Sequence, residues 1–128
     1  MTKVAVGIVN KDNKILMIKR QKKEGKLLWS FPSGTQEENE SLEQTCVREV
    51  YEETNLKVSV IKEFGTRIHP DTEVSLTYYL CNYISGEIKI THPEEVAAIE
   101  FKTQEEFNRD VKTDIYEPVK KYIRENIK

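Results

Sequence analysis

The sequence of 128 residues lacks the features that direct a chain to a membrane or to a nucleic-acid polymer. It contains no apolar run near the ~20 residues of a membrane-spanning helix. Its first residues, MTKVAVGIVN, are too few for the apolar core of a signal peptide and have no cleavage site. Lys and Arg total 20 and Asp and Glu total 22, so the net charge of −2 offers no large basic surface. We therefore expect a cytoplasmic protein that binds neither membranes nor nucleic-acid polymers.

Cysteine is scarce as well, with Cys46 and Cys81 alone. There is no CxxC and no Cys/His cluster, and both residues stand among apolar neighbours. Two buried free thiols are therefore favoured over a disulfide or a zinc site. The length suits one domain, and no repeat or low-complexity segment divides the chain. We expect a single domain over residues 1–128.

Short segments rich in Val and Ile predict strands separated by turn formers. Residues 4–10 and 15–20 form a predicted hairpin around the turn NKDNK. Charged residues 20–26 and the segment SGTQEEN, residues 33–39, are predicted loops. The other predicted strands are residues 27–32, 56–65, 73–84, 88–90 and 96–102.

One helix has clear start and stop signals. Ser41 is a predicted N-cap that forms a capping box with Gln44. Leu42, Cys46 and Val50 recur every four residues and form the predicted buried stripe. The helix is expected to end at residue 55, an asparagine that tolerates the left-handed conformation.

Two further helical segments follow the last predicted strand. The first is short and covers residues 104–110. The second, at the C-terminus, has Pro118 near its first turn and apolar residues four apart: Ile115, Val119, Ile123 and Ile127. This order of elements predicts an α/β fold with a mixed sheet between helices.

The central helix also carries a row of like charges. Glu49, Glu52 and Glu53 are at i, i+3 and i+4 and share one face. Each pair of like charges at this spacing costs a helix roughly 0.2–0.5 kcal/mol. The face is therefore either simply solvated or built to receive a cation.

These glutamates belong to a longer pattern of fixed spacing between residues 34 and 56. Its members are Gly34, Glu40, Arg48, Glu49, Glu52 and Glu53, with apolar Val50 and Leu56. Six such positions match by chance roughly once in 10^5 sequences. The pattern resembles the signature of the Nudix hydrolases, GX5EX7REUXEEXGU, where U is apolar. Asn55 stands where the family has its last glycine. Residues 4–20 and 28–34 also resemble the opening strands and the strand before this signature in the MutT-like branch, so we expect the Nudix fold.

The resemblance implies a metal site on the helix. Glu49, Glu52 and Glu53 would bind Mg²⁺, or Mn²⁺, together with the backbone carbonyl of Ser33. Glu49 or Glu52 would also position or deprotonate the attacking water. Arg48, the remaining residue of the expected catalytic group, would hold the glutamates in place.

Gly34 and Glu40 would support the site structurally. The resemblance also implies a further carboxylate from a late loop, and Glu94 and Glu95 in THPEEV are the candidates.

Two residues are candidates for substrate binding. Phe31 matches a position near the base in MutT-like relatives, where an aromatic ring stacks on it. Because Phe31 alternates with Trp29, it is equally consistent with a core position. Arg20, at the end of the second predicted strand, would reach a phosphate or remain a solvated surface charge.

The implied function is Mg²⁺-dependent hydrolysis of a nucleoside diphosphate linked to another group. A nucleoside triphosphate, modified or not, is the favoured substrate, with a monophosphate and pyrophosphate as products. One alternative is an ADP-ribose or nucleotide-sugar pyrophosphatase, since Pro70 follows Leu56 at about the distance seen in such relatives. The other is a nucleotide sensor without turnover, which would not need a complete metal face. Relatives are monomers or homodimers, and we expect the same here.

Overall fold

The computed structural model describes residues 1–21, 27–69 and 71–128. Most of the predicted loop 20–26 and the proline at position 70 therefore lie outside the described residues. The elements are β1 (Lys3–Lys11), β2 (Lys14–Gln21), β3 (Leu27–Ser30), β4 (Ser33–Thr35), α1 (Leu42–Thr54), β5 (Lys57–Ile68), β6 (Ser75–Ser85), β7 (Val96–Lys102), α2 (Gln104–Asp110) and α3 (Glu117–Asn126).

In the described part of the chain, seven strands form one mixed sheet. Its main order is β3-β2-β1-β6-β5, and β4 and β7 pair with β1 and β2. The β1–β6 pair is parallel and the remaining pairs are antiparallel. The β1–β2 hairpin turns at Asp12 and Asn13, whose φ angles of 54° and 64° fit the two-residue turns that match strand twist.

Helices cover both faces of the sheet, which confirms the predicted fold class. Ala5 and Val9 point to the face covered by α1, where they pack in a cluster with Val50. Val6 and Ile8 point to the opposite face, in a cluster with residues of α2 and α3. Because both faces are buried, β1 is apolar almost throughout instead of alternating.

The predicted ends of α1 are confirmed. Ser41 Oγ accepts a hydrogen bond from the Gln44 backbone N–H at 3.1 Å, and the Gln44 side chain accepts one from Ser41 N–H at 2.8 Å. At the other end, Asn55 adopts a left-handed conformation with φ of 70°. Asparagine thus replaces the family's glycine without displacing the helix end.

Two local predictions are wrong. Residues 33–35, predicted as loop, form β4 and pair with β1. Residues 88–90, predicted as a strand, are not in the sheet. The backbone of this segment instead forms hydrogen bonds with residues at the C-terminal end of α1. Lys89 N–H donates to the Thr54 carbonyl at 3.1 Å, and the Asn55 side chain donates to the Glu87 carbonyl at 3.0 Å.

Three of the four residues of the predicted C-terminal stripe are buried as expected, whereas Ile115 precedes α3 and is half-buried. Val119, Ile123 and Ile127 are at most 4% exposed, and Pro118 lies in the first turn of α3. None of the described helices has the length and hydropathy needed to cross a membrane.

Lys102 is a buried charge that the sequence patterns did not indicate. Its side chain is fully buried, which is rare for lysine. Its Nζ donates to Glu100 Oε1 and Asp110 Oδ2, each at 2.8 Å, and lies 3.6 Å from the centroid of the Trp29 ring. The ammonium group therefore connects β7, α2 and β3.

We expect Lys102→Ala to lower the free energy of unfolding by about 2–4 kcal/mol, because it leaves a cavity and removes a buried ion-pair partner. Urea unfolding followed by circular dichroism measures this change. Lys57→Ala, at an exposed position of β5, should change it by less than about 0.5 kcal/mol. Equal effects at the two positions would show that the buried contacts of Lys102 contribute nothing.

Candidate functional site

An acidic cleft of about 490 Å³ lies beside the C-terminal half of α1. This volume is within the range of small-molecule sites. Its lining residues come from β2, β4, α1 and two loops: Arg20, Ser33, Thr35, Gln36, Glu37, Glu49, Glu52, Glu53, His92 and Glu95. All three glutamates of the predicted metal face are therefore in one cleft.

Arg48 connects the acidic groups to one another. Its Nε and Nη2 donate to the two carboxylate oxygens of Glu40, at 2.7 and 2.9 Å. Its Nη1 donates to Glu49 at 2.7 Å and to Glu52 at 3.3 Å, and its Nη2 also reaches the Thr35 carbonyl at 3.1 Å. These carboxylates raise the pKa of Arg48 above its ordinary value, chiefly through the Glu40 hydrogen bonds.

Glu40 is the rigid end of this network. The hydrogen bonds from Arg48 lower the pKa of Glu40 to about 2, with a further contribution from Thr45 Oγ1, which donates at 2.6 Å. The backbone N–H of Glu37 donates to the same carboxylate at 3.2 Å. Glu40 is thus ionised at neutral pH, and both of its carboxylate oxygens accept hydrogen bonds from protein donors.

Gly34 allows Glu49 to lie against β4. A Cβ atom at position 34 would overlap the Glu49 carboxylate carbon, so any larger residue would displace this side chain. Burial raises the pKa of the Glu49 carboxyl, and the negative charges of Glu53 and Glu52 add to this effect, while the Arg48 hydrogen bond opposes it. A cation beside Glu49 would stabilise its ionised form.

Glu53 is the most buried of the three glutamates, with 6% of the residue exposed. Its Oε1 accepts a hydrogen bond from Ser33 N–H at 2.9 Å, and its Oε2 lies 2.7 Å from Arg20 Nη2. Burial raises the pKa of Glu53, the positive charge of Arg20 lowers it, and the charge of Glu95 raises it further.

The segment after β6 brings a further carboxylate to the cleft. Thr91 Oγ1 donates to the Glu52 carbonyl at 2.7 Å and so fixes the segment on the end of α1. Glu95 then lines the cleft. Glu94 is exposed and does not line it, and its Oε1 lies 3.5 Å from His92 Nδ1. Of the two predicted late-loop candidates, the structure brings only Glu95 to the α1 glutamates.

Phe31 is a core residue and does not line the cleft. It is 7% exposed, and its ring centroid lies 6.4 Å from that of Phe107. The alternation with Trp29 thus placed Phe31 on the α2–α3 face of the sheet. His92, by contrast, lines the cleft and was not predicted, although it stands in the same THPEEV segment as the acidic candidates.

The donors of the cleft fit a hard divalent cation, because they are carboxylate and carbonyl oxygens. Among the described residues, however, no three His, Cys, Asp or Glu side chains surround a common point as metal ligands. The contacts give the reason, since Arg48 and Arg20 hold oxygens of all three α1 glutamates. A cation could therefore reach Glu49 and Glu52 through the oxygens that Arg48 leaves free, and it would compete with Arg20 for Glu53.

Curated relatives differ in their activities. An 88-residue match at 39% identity joins this chain to an ADP-ribose pyrophosphatase of Methanocaldococcus jannaschii, covering 65% of this chain and 52% of that protein. Another 88-residue match, at 35% identity, joins it to an 8-oxo-dGTP diphosphatase of Buchnera aphidicola and covers 68% of each. The chain thus spans about half to two thirds of the length of these relatives.

The fold agrees with a solved NUDIX hydrolase from Nitrosomonas europaea, at a TM-score of 0.83 and 16% identity, over 98% of this chain and 90% of that one. A family model described as the NUDIX domain matches residues 1–125. This match confirms the family predicted from the spaced glutamates. Because it spans nearly the full sequence, the chain belongs to the NUDIX family.

Proposed function

We propose that this chain is a divalent-metal-dependent pyrophosphohydrolase that cleaves a nucleoside diphosphate linked to another group. One observation carries the proposal. Glu49, Glu52 and Glu53 line one cleft from a single helix face, and Glu95 lines it from another segment. In a merely solvated glutamate face, Glu53 would not be buried, Arg48 would not hold Glu49 and Glu52, and Glu95 would not be brought to the same cleft.

The residues have separate roles in this proposal. Glu49, Glu52, Glu53 and the Ser33 carbonyl supply the oxygens that would hold the cation. When bound, Mg²⁺ or Mn²⁺ offsets phosphate charge and lowers the pKa of a bound water. Glu52 is the most exposed of the three and keeps one carboxylate oxygen clear of Arg48, so it is suited to accept a proton from water.

Other residues hold the glutamates in position and take no part in the reaction itself. Arg48 fixes Glu49 and Glu52 from behind and is fully occupied by protein acceptors, so it does not contact substrate in this proposal. Glu40 anchors Arg48, and Gly34 makes room for Glu49. Glu95 supplies a charge on the other wall.

A nucleoside triphosphate is the proposed substrate, with the monophosphate and pyrophosphate as products. Support comes from the MutT-like opening strands and from the similarity to an 8-oxo-dGTP diphosphatase that extends over 68% of both proteins. ADP-ribose is the second candidate, favoured by the 39% identity to an ADP-ribose pyrophosphatase. A panel of nucleoside triphosphates, 8-oxo-dGTP, ADP-ribose and nucleotide sugars, assayed with Mg²⁺ and with EDTA, separates the two. Nucleotide binding without turnover of any member would overturn the enzyme assignment in favour of a sensor.

Glu52→Gln should lower kcat by about 100-fold or more on the best substrate of the panel, because it removes a ligand charge and a proton acceptor. The fold should persist, since the side chain is 47% exposed. Initial rates and thermal unfolding check both points. Glu43→Gln, on the same helix but away from the cleft, is the matched control and should retain wild-type rates. A Glu52→Gln variant within threefold of wild type would remove Glu52 from the catalytic group.

The two neighbouring late-loop glutamates offer a second comparison. Glu95→Gln should lower kcat at least about tenfold, because this carboxylate lines the cleft. Glu94→Gln should remain within about twofold of wild type, since that side chain is exposed outside it. Steady-state rates at saturating Mg²⁺ measure both. The reverse order would show that the loop turns Glu94 to the substrate instead.

A further inference from the structure

The two arginines near the α1 glutamates are held very differently. Arg48 donates to four protein acceptors and is fixed. Arg20 makes one long hydrogen bond, from Nε to Ser30 Oγ at 3.4 Å, and one ion pair, with Glu53 at 2.7 Å. Among the described residues, its Nη2 has no hydrogen-bond partner in the required direction, so the Glu53 contact is electrostatic. The Arg20 side chain is therefore free to exchange this partner for a better one.

Glu53 cannot bind Arg20 and a divalent cation equally well at the same time. Its Oε1 is held by Ser33 N–H and its Oε2 faces Arg20. A cation about 2.1 Å from Oε2 would lie within roughly 5 Å of the guanidinium, and the two positive charges would repel each other. Binding of the cation to Glu53 thus favours departure of Arg20.

The cleft itself supplies the alternative partner. Arg20 lines it together with the glutamates, and it is the one arginine or lysine among the described lining residues. A diphosphate in the same cleft would offer a guanidinium two-point hydrogen bonding, which is stronger than the present contact.

We propose that Arg20 is an exchange residue: it neutralises Glu53 until a divalent cation takes that carboxylate, and then turns to the diphosphate of the substrate. This inference rests on the proposed function of the cleft. Its consequence is that cation and diphosphate each strengthen the binding of the other, by the same factor in both directions.

Mn²⁺ binding without any nucleotide tests whether Arg20 competes with the cation for Glu53. Titration of Mn²⁺ by electron paramagnetic resonance, at one fixed pH for all variants, should show affinity about two- to fivefold higher in Arg20→Met than in wild type. Lys19→Met removes a neighbouring charge that lies near Trp29 and not Glu53, and it should change the affinity by less than about 1.5-fold. Equal or weaker Mn²⁺ binding in Arg20→Met, or an equal gain in Lys19→Met, overturns the inference.

The effect of a diphosphate analogue on Mn²⁺ affinity tests whether Arg20 then turns to the diphosphate. Methylenediphosphonate, a diphosphate analogue that cannot be hydrolysed at its bridge, should raise the Mn²⁺ affinity of wild type about fivefold or more. In Arg20→Met this factor should fall at least about threefold, whereas Arg20→Lys, which keeps the charge, should retain wild-type affinity for Mn²⁺ alone. An undiminished coupling in Arg20→Met contradicts the exchange. Turnover in the substrate panel is a separate readout. If the panel shows turnover but Arg20→Met binds Mn²⁺ as wild type does, only the exchange is refuted. If neither wild type nor any variant binds Mn²⁺, both the exchange and the proposed function are refuted.

Discussion

Repulsion among carboxylates at one end of α1 is the constraint on which the rest of the cleft depends. Among the described lining residues there are five glutamates and one arginine, so the cleft holds an excess of negative charge. Arg48 offsets part of that charge from behind, through hydrogen bonds to Glu49 and Glu52. In the proposed function the remaining negative charge would attract a divalent cation, which accounts for an arrangement of glutamates that costs helix stability.

The helix holds these charges in place because its other face is locked to the sheet. Val50 and Cys46 are buried against β1, and Gly7 admits them: a Cβ there would come within 2.7 Å of Val50 Cγ2. On the cleft side, Gly34 likewise admits Glu49. Two glycines thus set how closely one helix approaches two strands, and a shift at either would move the carboxylates.

Local patterns predicted the parts of the fold that local physics determines. The capping box at Ser41, the left-handed Asn55 and the apolar stripe of α1 depend on residues within a few positions of one another. Segment 88–90 has the apolar alternation of a strand, yet its contacts are with the end of α1, more than thirty residues away: Lys89 N–H donates to the Thr54 carbonyl, and the neighbouring Glu87 carbonyl accepts from the Asn55 side chain. Phe31 lies in the core, which is one of the two positions that its alternation with Trp29 allows, since alternation says which residues share a face but not which face becomes core.

Some segments that line the cleft belong to the spaced pattern of residues 34–56, and others, such as the loop after β6, lie outside it. The carboxylates and Arg48 lie within residues 34–56, and their spacing was readable because a helix face converts spacing directly into geometry. Glu95 and His92 reach the same cleft through a loop that is fastened to the end of α1 by Thr91. That attachment lets the loop sequence change without disturbing the helix. In the proposed function, α1 and β4 supply the oxygens that would hold the cation, Arg20 of β2 would receive the diphosphate, and segments outside the spaced pattern would contact the group attached to it.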